Sequence, residues 1–489
     1  MDRGRTGTNF KPLSDNPVKL NANVENAKTL SSILGVDESE ASALLDASVA
    51  ITFDRRDERA AQFARHAQLL LSRTIRSVNA DETESNRDVA VELVIGDAGP
   101  RFSSPRIYAC GKKETIVVAA APMNAGIFDI HPVGLLLGAC YAAGAVLKKA
   151  LKLPYPPADT LEINLTELVG DDLAKLYKPA IFDEAHLAGA GAIGNGFLYG
   201  LSQFQVQGRL HVCDDDAVSD GNLQRCLFFT QGDVDLPKAE RLCLAAREHL
   251  RGVQLVPFKG RLQDLPNRKG DWLKRLIVGV DSPRARRKLQ TEIPGAVFDA
   301  STTGVSEVVF HFHRQPTDHA CLSCVYHESP EEHAHEKHVA EAIGVSLDEV
   351  RRERISDAAA VLICQRYPQL NPASIAGTAF DTLFKQLCSS AQLKTSEGRQ
   401  VLAPFAFVSV IGGVYLAIEF IRRLHGSSAD LFNEWRVSPW SNPVIRRRRK
   451  LERNPDCEFC SDPVLAGVAE KIWSEAQMVS SFPEHTHYA

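Results

Sequence analysis

Residues 187–196, LAGAGAIGNG, place glycines at 189, 191 and 194 between a run that reads as a strand and one that reads as a helix. This G-x-G-x-x-G spacing suits a phosphate. Glycine permits a tight turn and close backbone approach, and a helix N-terminus offers free N–H groups to an anion. The same turn serves nicotinamide and flavin dinucleotides, so alone it identifies only a generic dinucleotide fold. Residues further along the chain narrow the chemistry. Asp214 stands at the end of the next strand, where an acid commonly grips ribose hydroxyls, with Asp216 two residues on. Asn222, Arg225 and Lys238 then add an amide and two cations. Cations at the phosphate end suit phosphoryl or nucleotidyl transfer, in which charge grows on phosphate oxygens; hydride transfer has no use for them. Asp281 ends the run LIVGVD at the carboxyl edge of the expected sheet, where a carboxylate can hold Mg²⁺ against a nucleotide.

Cysteine supplies a second constellation. The eleven cysteines are odd in number and scattered, which argues against a disulfide framework. Cys321–Cys324 (CLSC) and Cys457–Cys460 (CEFC) have the spacing by which a turn presents two thiolates to one tetrahedral zinc. Together they read as one closed Cys₄ structural Zn²⁺ site, the alternative being two unrelated reduced pairs. His311, His313, His319, His327, His333, His335 and His338 lie in a charged stretch and read as solvated. Cys110, Cys140, Cys213 and Cys243 read as core or strand residues.

The elements that must position these groups alternate. Residues 24–78 carry helical periodicity, then DVAVELVIG, ETIVVAAAP and LEINLTEL read as strands. PVGLLLGACYAAGAVLKKAL reads as a buried helix ending in lysines, and no phosphate loop occurs in this first third. From Lys178 strands and helices alternate, which means a mainly parallel sheet with covered faces. After Cys324 the chain turns acidic and helical; a polar insert, KTSEGRQ, precedes the apolar helix APFAFVSVIGGVYLAIEFIRRL. The expected divisions are 1–177, an N-terminal α/β domain; 178–345, a nucleotide-binding α/β domain; 346–400, a helical insert; and 401–489, a return helix with the second cysteine pair.

The run Leu187–Asp281, with its elements GAGAIGN, D-x-D-x-V, N-L-Q-R, D-V-x-x-x-K-A and the strand-end Asp, resembles the ThiF/MoeB superfamily, the adenylating domain shared with ubiquitin-activating (E1-like) enzymes. The resemblance covers roughly Lys178–Pro463. It implies a Rossmann-like adenylation domain with ATP as the nucleotide, Gly191 on phosphate, Asp214 on ribose, and Asn222, Arg225 and Lys238 around the α-phosphate. Asp281 becomes the magnesium and adenylation aspartate. Two departures stand out. Cys226 follows N-L-Q-R where the family commonly has Gln, and reads as a buried substitution. The family's arginine segment before the first strand has no counterpart in KPAIFDEA.

The same resemblance implies a cysteine that takes the acyl group from the adenylate, placed between the first zinc pair and the apolar return helix. Cys388, beside a Ser-rich polar loop, is the preferred acceptor; Cys364 competes, but its apolar neighbours Val361, Leu362 and Ile363 suggest burial. The N-terminal third loosely resembles a degenerate adenylation domain, a scaffold packing on the active half or on a second copy, hence a homodimer. The implied activity is adenylation of the C-terminal carboxylate of a ubiquitin-like protein ending in Gly, then thioester formation and transfer to an E2-like conjugating enzyme. The implied setting is a bacterial conjugation pathway, with antiphage defence as one such use. Sulfur-carrier activation and a scaffold without chemistry are the rivals. The net charge of −5 gives no general reason to expect nucleic acid, and RRRRK at 446–450 reads as solvated surface, with docking of an acidic partner as the intermediate reading. The apolar runs near Pro132–Leu147 and Ala403–Phe420 read as buried helices, so no membrane is expected and the chain is expected to be cytoplasmic.

Overall fold

A computed structural model describes residues 21–80, 88–123, 125–156, 160–266, 272–328, 330–352, 354–380, 383, 384, 387, 402–426, 432–443 and 447–479. The chain forms two compact units, one from Met1–Val325 with Ala403–Ala489, the other from Tyr326–Leu402.

The first unit holds two sheets. The N-terminal one begins inside the segment expected to be helical: β1 (Ser48–Thr52) and β2 (Ser77–Asn79) flank the helix Glu58–Leu71. β3 (Val91–Ile95), β4 (Arg106–Lys112), β5 (Thr115–Ala119), β6 (Ile127–Phe128) and β7 (Thr160–Asn164) complete the order β2-β1-β3-β4-β5-β7, with β6 beside β4. Pairing is parallel from β2 to β4 and antiparallel from β4 to β7. Small and apolar side chains let the helix Pro132–Ala150 sink between this sheet and its neighbour. It is long and apolar enough to cross a membrane by length and composition, but its most apolar window is 78% buried inside the protein.

The second sheet has the order β10-β9-β8-β11-β12-β13-β14-β15. β8 (Ala180–Ala188), β9 (Val206–Asp214), β10 (Val253–Lys259), β11 (Arg275–Val278) and β12 (Ala296–Thr303) run parallel. β13 (Glu307–Arg314), β14 (Glu434–Val437) and β15 (Arg448–Arg449) extend it in antiparallel fashion, so the sheet is mixed. His311 and His313 face inward on β13 and are 0% and 4% exposed. They are therefore not solvated, because β13 is buried on both faces from Val308 to His313. The helix Ala406–Leu424 returns across the helix Ala192–Leu201, and glycine allows the two backbones to touch: a Cβ on Gly413 would lie 2.0 Å from the Gly196 carbonyl carbon.

The second unit packs the helices Pro330–Ile343, Leu347–Arg351, Asp357–Arg366 and Pro372–Ile375 around its own core of Val339, Ile343, Ile355, Ile363, Phe380 and Phe384. The expected insert of 346–400 lies within it, and the unit begins earlier, at Tyr326.

Candidate functional site

The glycine turn joins β8 to the helix Ala192–Leu201. Gly189 has φ +101°, and a Cβ there would sit 2.7 Å from the Gly279 carbonyl, so both conformation and space demand glycine. A Cβ on Gly194 would meet the Gly189 oxygen at 2.3 Å. Gly191 is different. Its φ of −73° suits any residue, a Cβ there meets open space, and it caps the helix without a side-chain bond. The helix N-terminus is thus left open to a ligand anion.

Asp214 closes the turn from β9. Its carboxylate accepts the Ala190 N–H at 2.7 Å and the Asp216 N–H at 2.9 Å. Burial raises its pKa, against the pull of nearby Lys238. Lys238 opens the helix Lys238–Ala246 and pairs with Asp216 at 2.8 Å. Burial opposes the Lys238 charge, but Asp214, Asp216 and, more weakly, Asp281 outweigh it and raise its pKa. The ammonium is therefore held in its cationic form, paired with the Asp216 carboxylate. Asn222 and Arg225 lie on the next turn, where the Asn222 carboxamide accepts the Ser219 N–H at 2.9 Å and Arg225 donates to the Gly221 carbonyl at 2.8 Å. Asp281 is exposed just beyond β11.

Three positioning residues escape a reading of the sequence. Asn195 donates to the Ala190 and Gly191 carbonyls, both at 2.9 Å, and accepts the Phe228 N–H at 3.0 Å, tying the glycine turn to the Asn222–Phe229 segment. Arg286 is buried, pairs with Asp299 and donates to the carbonyls of Val280 and Ala300, fixing the backbone that presents Asp281. Arg73 comes from the N-terminal sheet region. Its guanidinium donates to the carbonyls of Leu223 (2.7 Å), Leu227 (2.7 Å) and Phe229 (3.0 Å). The only sequence signal is the N of GAGAIGN; nothing local marks Arg73 or Arg286. Cys226 is fully buried, which pushes its thiol up to about 11 despite Arg225, Lys238 and Arg73 nearby, so it is unsuited to act as a nucleophile.

The four paired cysteines converge. Cys321 Sγ lies 3.7 Å from Cys324 and from Cys457 and 3.4 Å from Cys460, and Cys324 lies 3.7 Å from Cys460. A tetrahedron of zinc–sulfur bonds requires sulfurs about 3.8 Å apart, so the set fits a closed zinc site. Backbone N–H groups of Asn454 and Cys460 already donate to the sulfurs of Cys324 and Cys457 at 3.4 Å. Beyond the site, Trp473 of the helix Pro463–Val479 donates to the Ile293 carbonyl at 3.0 Å.

Cys388 lies outside the described residues. Cys364 sits on the helix Asp357–Arg366 and is partly exposed, and Val361 and Leu362 beside it are 50% and 51% exposed. Of these neighbours only Ile363 enters the core, and Cys364 itself packs half-buried against it, so the expected burial is partial. The basic run is also not simply solvated. Arg448 turns inward over Trp435 and Phe432, 4.4 and 4.6 Å from the ring centroids, while Arg447 and Arg449 pair with Glu307 and Glu434; Arg446 lies outside the described residues.

A family model described as the ThiF family matches residues 171–459, and one described as the E1 N-terminal domain matches residues 20–166. The chain is 26% identical over 330 residues to an uncharacterized protein of Sinorhizobium fredii, y4jF, covering 62% of each. It is 26% identical over 178 residues to the ubiquitin-activating enzyme E1-like of Saccharomyces cerevisiae, which is 35% of this chain and 26% of that one. The chain thus spans about three-fifths of the first relative and a quarter of the second. A crystal structure of E. coli MccB covers 72% of this chain and 97% of its own at 13% identity and a TM-score of 0.35.

Proposed function

The chain belongs to the ThiF family and carries its ATP-dependent adenylyltransferase-type domain, and from that premise we propose that it adenylates the C-terminal carboxylate of a ubiquitin-like protein. The observation that carries the reading is the uncapped helix N-terminus at Gly191, with Asp214 and the charged Lys238 beside it. A carrier carboxylate oxygen attacks the α-phosphorus of ATP, the bond from that phosphorus to the bridging oxygen breaks, and pyrophosphate leaves with its electron pair. Lys238 and Arg225 offset the charge that grows on the α-phosphate oxygens, and the glycine-turn N–H groups orient the polyphosphate. Asp281, with its backbone held by Arg286, would hold Mg²⁺, which supplies further charge neutralisation on phosphate. The Cys₄ set would take one zinc in a purely structural role, joining the 457–460 turn to the 321–324 turn.

Handing the adenylate to an external sulfur donor needs no group beyond these, and that sulfur-carrier reading is the one the family supports furthest. Capture by an enzyme thiol is the second reading. It is favoured by the separate unit 326–402, which a minimal adenylyltransferase does without and which contains the part-exposed Cys364 and, in its sequence, Cys388. On that reading the product passes to an E2-like enzyme in a bacterial conjugation pathway, antiphage defence being one use, with an intracellular homodimer as the working form.

Carrier-dependent exchange of labelled pyrophosphate into ATP tests the shared step. Using the ubiquitin-like protein encoded nearest its gene, the wild type should exchange and a folded Asp281→Ala should not; undiminished exchange in that variant rejects the site. A thiol-reversible carrier adduct lost in Cys388→Ala or in Cys364→Ala, with exchange kept, selects the second reading and names its cysteine. Active exchange with no adduct selects the first.

A further inference from the structure

On β8 and β9 a second group of ligand-bearing side chains faces away from the helix Ala192–Leu201. Leu187 points toward that helix, its side chain 3.5 Å from where a Gly194 Cβ would lie. By strand alternation Glu184 and His186 point the other way. His211 of β9 stands directly across from His186 in the parallel register. The two imidazoles stack with centroids 4.9 Å apart, Trp272 closes over His186 at 5.0 Å, and His211 Nε2 meets Glu184 Oε1 at 2.7 Å.

We infer that Glu184, His186 and His211 form a binding site for a divalent transition-metal ion of the zinc, cobalt and nickel class, separate from the tetrathiolate site. One ligand atom from each residue falls within 4.8 Å of the others. Two imidazoles and a carboxylate are the donor set these borderline ions prefer, and three protein ligands leave positions for water. His186 is 2% exposed, yet its buried Nδ1 has no hydrogen-bond partner among the described residues. Such an orphaned nitrogen is costly in a packed fold unless something binds there. Bonds near 2.05 Å place tetrahedral ligands about 3.3 Å apart. The His211–Glu184 contact must therefore open by roughly 0.6 Å, which the 42% exposed Glu184 side chain can accommodate by swinging outward. The proton on His211 Nε2 moves to Nδ1, so the ring stays neutral while Nε2 takes the metal. Bound there, the ion would clamp β8 to β9, the strands that carry the glycine turn and Asp214.

Metal content of the full-length protein decides this. After zinc loading under reducing conditions and gel filtration, wild type should hold about two equivalents, and His211→Leu and Cys457→Ser about one each. With cobalt, the tetrathiolate site gives intense sulfur-to-metal charge-transfer bands, and the second equivalent should add only weak bands that vanish in His211→Leu. Should His211→Leu misfold, the exposed Glu184→Gln replaces it and should weaken binding of the second ion at least tenfold by calorimetry. A single equivalent in the wild type, or a second equivalent unmoved by Glu184→Gln and His211→Leu, overturns the site and leaves these residues as a polar staple.

Discussion

The two sheets of the first unit share one plan. In each, a first strand leads through a helix to a parallel neighbour: β1 through Glu58–Leu71 to β2, and β8 through Ala192–Leu201 to β9. Each sheet continues parallel and then turns antiparallel, and each ends its core with a 19-residue apolar helix, Pro132–Ala150 or Ala406–Leu424. They differ at the turn that matters. After β8 the helix begins at Gly191 with no side-chain cap. After β1 the chain reads Asp54–Glu58, and Asp57 caps its own helix, accepting the N–H groups of Arg59 at 2.9 Å and Ala60 at 3.1 Å. The donors that one half leaves for a phosphate are taken by a carboxylate in the other, with Glu58 adding a second negative charge. Of these two turns, only the one after β8 leaves its first helix N–H groups without a side-chain acceptor. The N-terminal half contributes instead through Arg73, which braces the segment bearing Asn222 and Arg225.

The comparison breaks most sharply at Gly191. Gly191→Asp installs the arrangement of the N-terminal half in the nucleotide turn. The backbone tolerates it and a Cβ meets open space, so the fold should stand with an unchanged or slightly higher melting temperature. Nucleotide binding should weaken by about 3 kcal/mol or more, roughly 100-fold, from lost donors and like-charge repulsion. Titration with a fluorescent ATP analogue reads this. Near-normal affinity in the variant would mean that phosphate does not sit on this helix.

Arg73→Ala comes next. It strands three carbonyls inside the protein at about 1–3 kcal/mol each, not fully additive, so roughly 3 kcal/mol of stability should go. If the N-terminal half supports the site, Arg73→Lys, which folds better but lacks the planar fork, should still raise the KM for ATP in pyrophosphate exchange while a distant variant of equal stability does not. Unchanged kinetics in Arg73→Lys would leave Arg73 a purely structural residue.

This division explains what is legible in the sequence. Glycines 189, 191 and 194, Asp214, Lys238 and both cysteine pairs are readable because the chemistry is written in short local spacings. The long apolar helices are readable from composition. Arg73 is not, since its partners lie about 150 residues away and no local pattern marks it. β1 escapes because SVAIT is a five-residue run between two helical patterns. His311 and His313 look solvated because charged neighbours on the following segment hide a strand that is buried on both faces. The run at 446–450 looks like surface by its charge, whereas Arg448 is placed by the aromatic faces of Phe432 and Trp435. Local chemistry is visible, and long-range packing is not.

The two halves are also joined by a buried histidine. His66, on the helix after β1, meets the Tyr199 hydroxyl at 2.8 Å on the helix after β8. Burial lowers its pKa to about 3, and burial lowers His131 and His311 to about 4. Because these folded values lie below the unfolded value near 6.5, the unfolded chain binds protons first as pH falls. Stability should be whole above about pH 6.5 and decline toward pH 4, by about 1.4 kcal/mol per pH unit for each histidine. Both halves carry such a residue, so melting followed by fluorescence and by circular dichroism should move down in one transition. Two separate transitions would show that the halves are energetically independent.

The smallest effect tests the self-capped side. Asp57→Ala removes the carboxylate that accepts two helix N–H groups and should cost about 1 kcal/mol, a shift of a few degrees in melting temperature. It should leave pyrophosphate exchange untouched, since Asp57 bonds to the start of its own helix and not to the glycine turn. The more telling variant is Asp57→Gly, which also frees the N-terminus but spares part of the cap penalty. If an open helix end were sufficient for phosphate, this variant would gain a second, weak nucleotide site. It should not, because Glu58 and Asp54 still repel an anion and no glycine turn like 189–191 lets a phosphate approach the backbone. A second binding event in Asp57→Gly would mean that the cap alone separates the two halves, and that the glycines before Gly191 matter less than their strained geometry suggests.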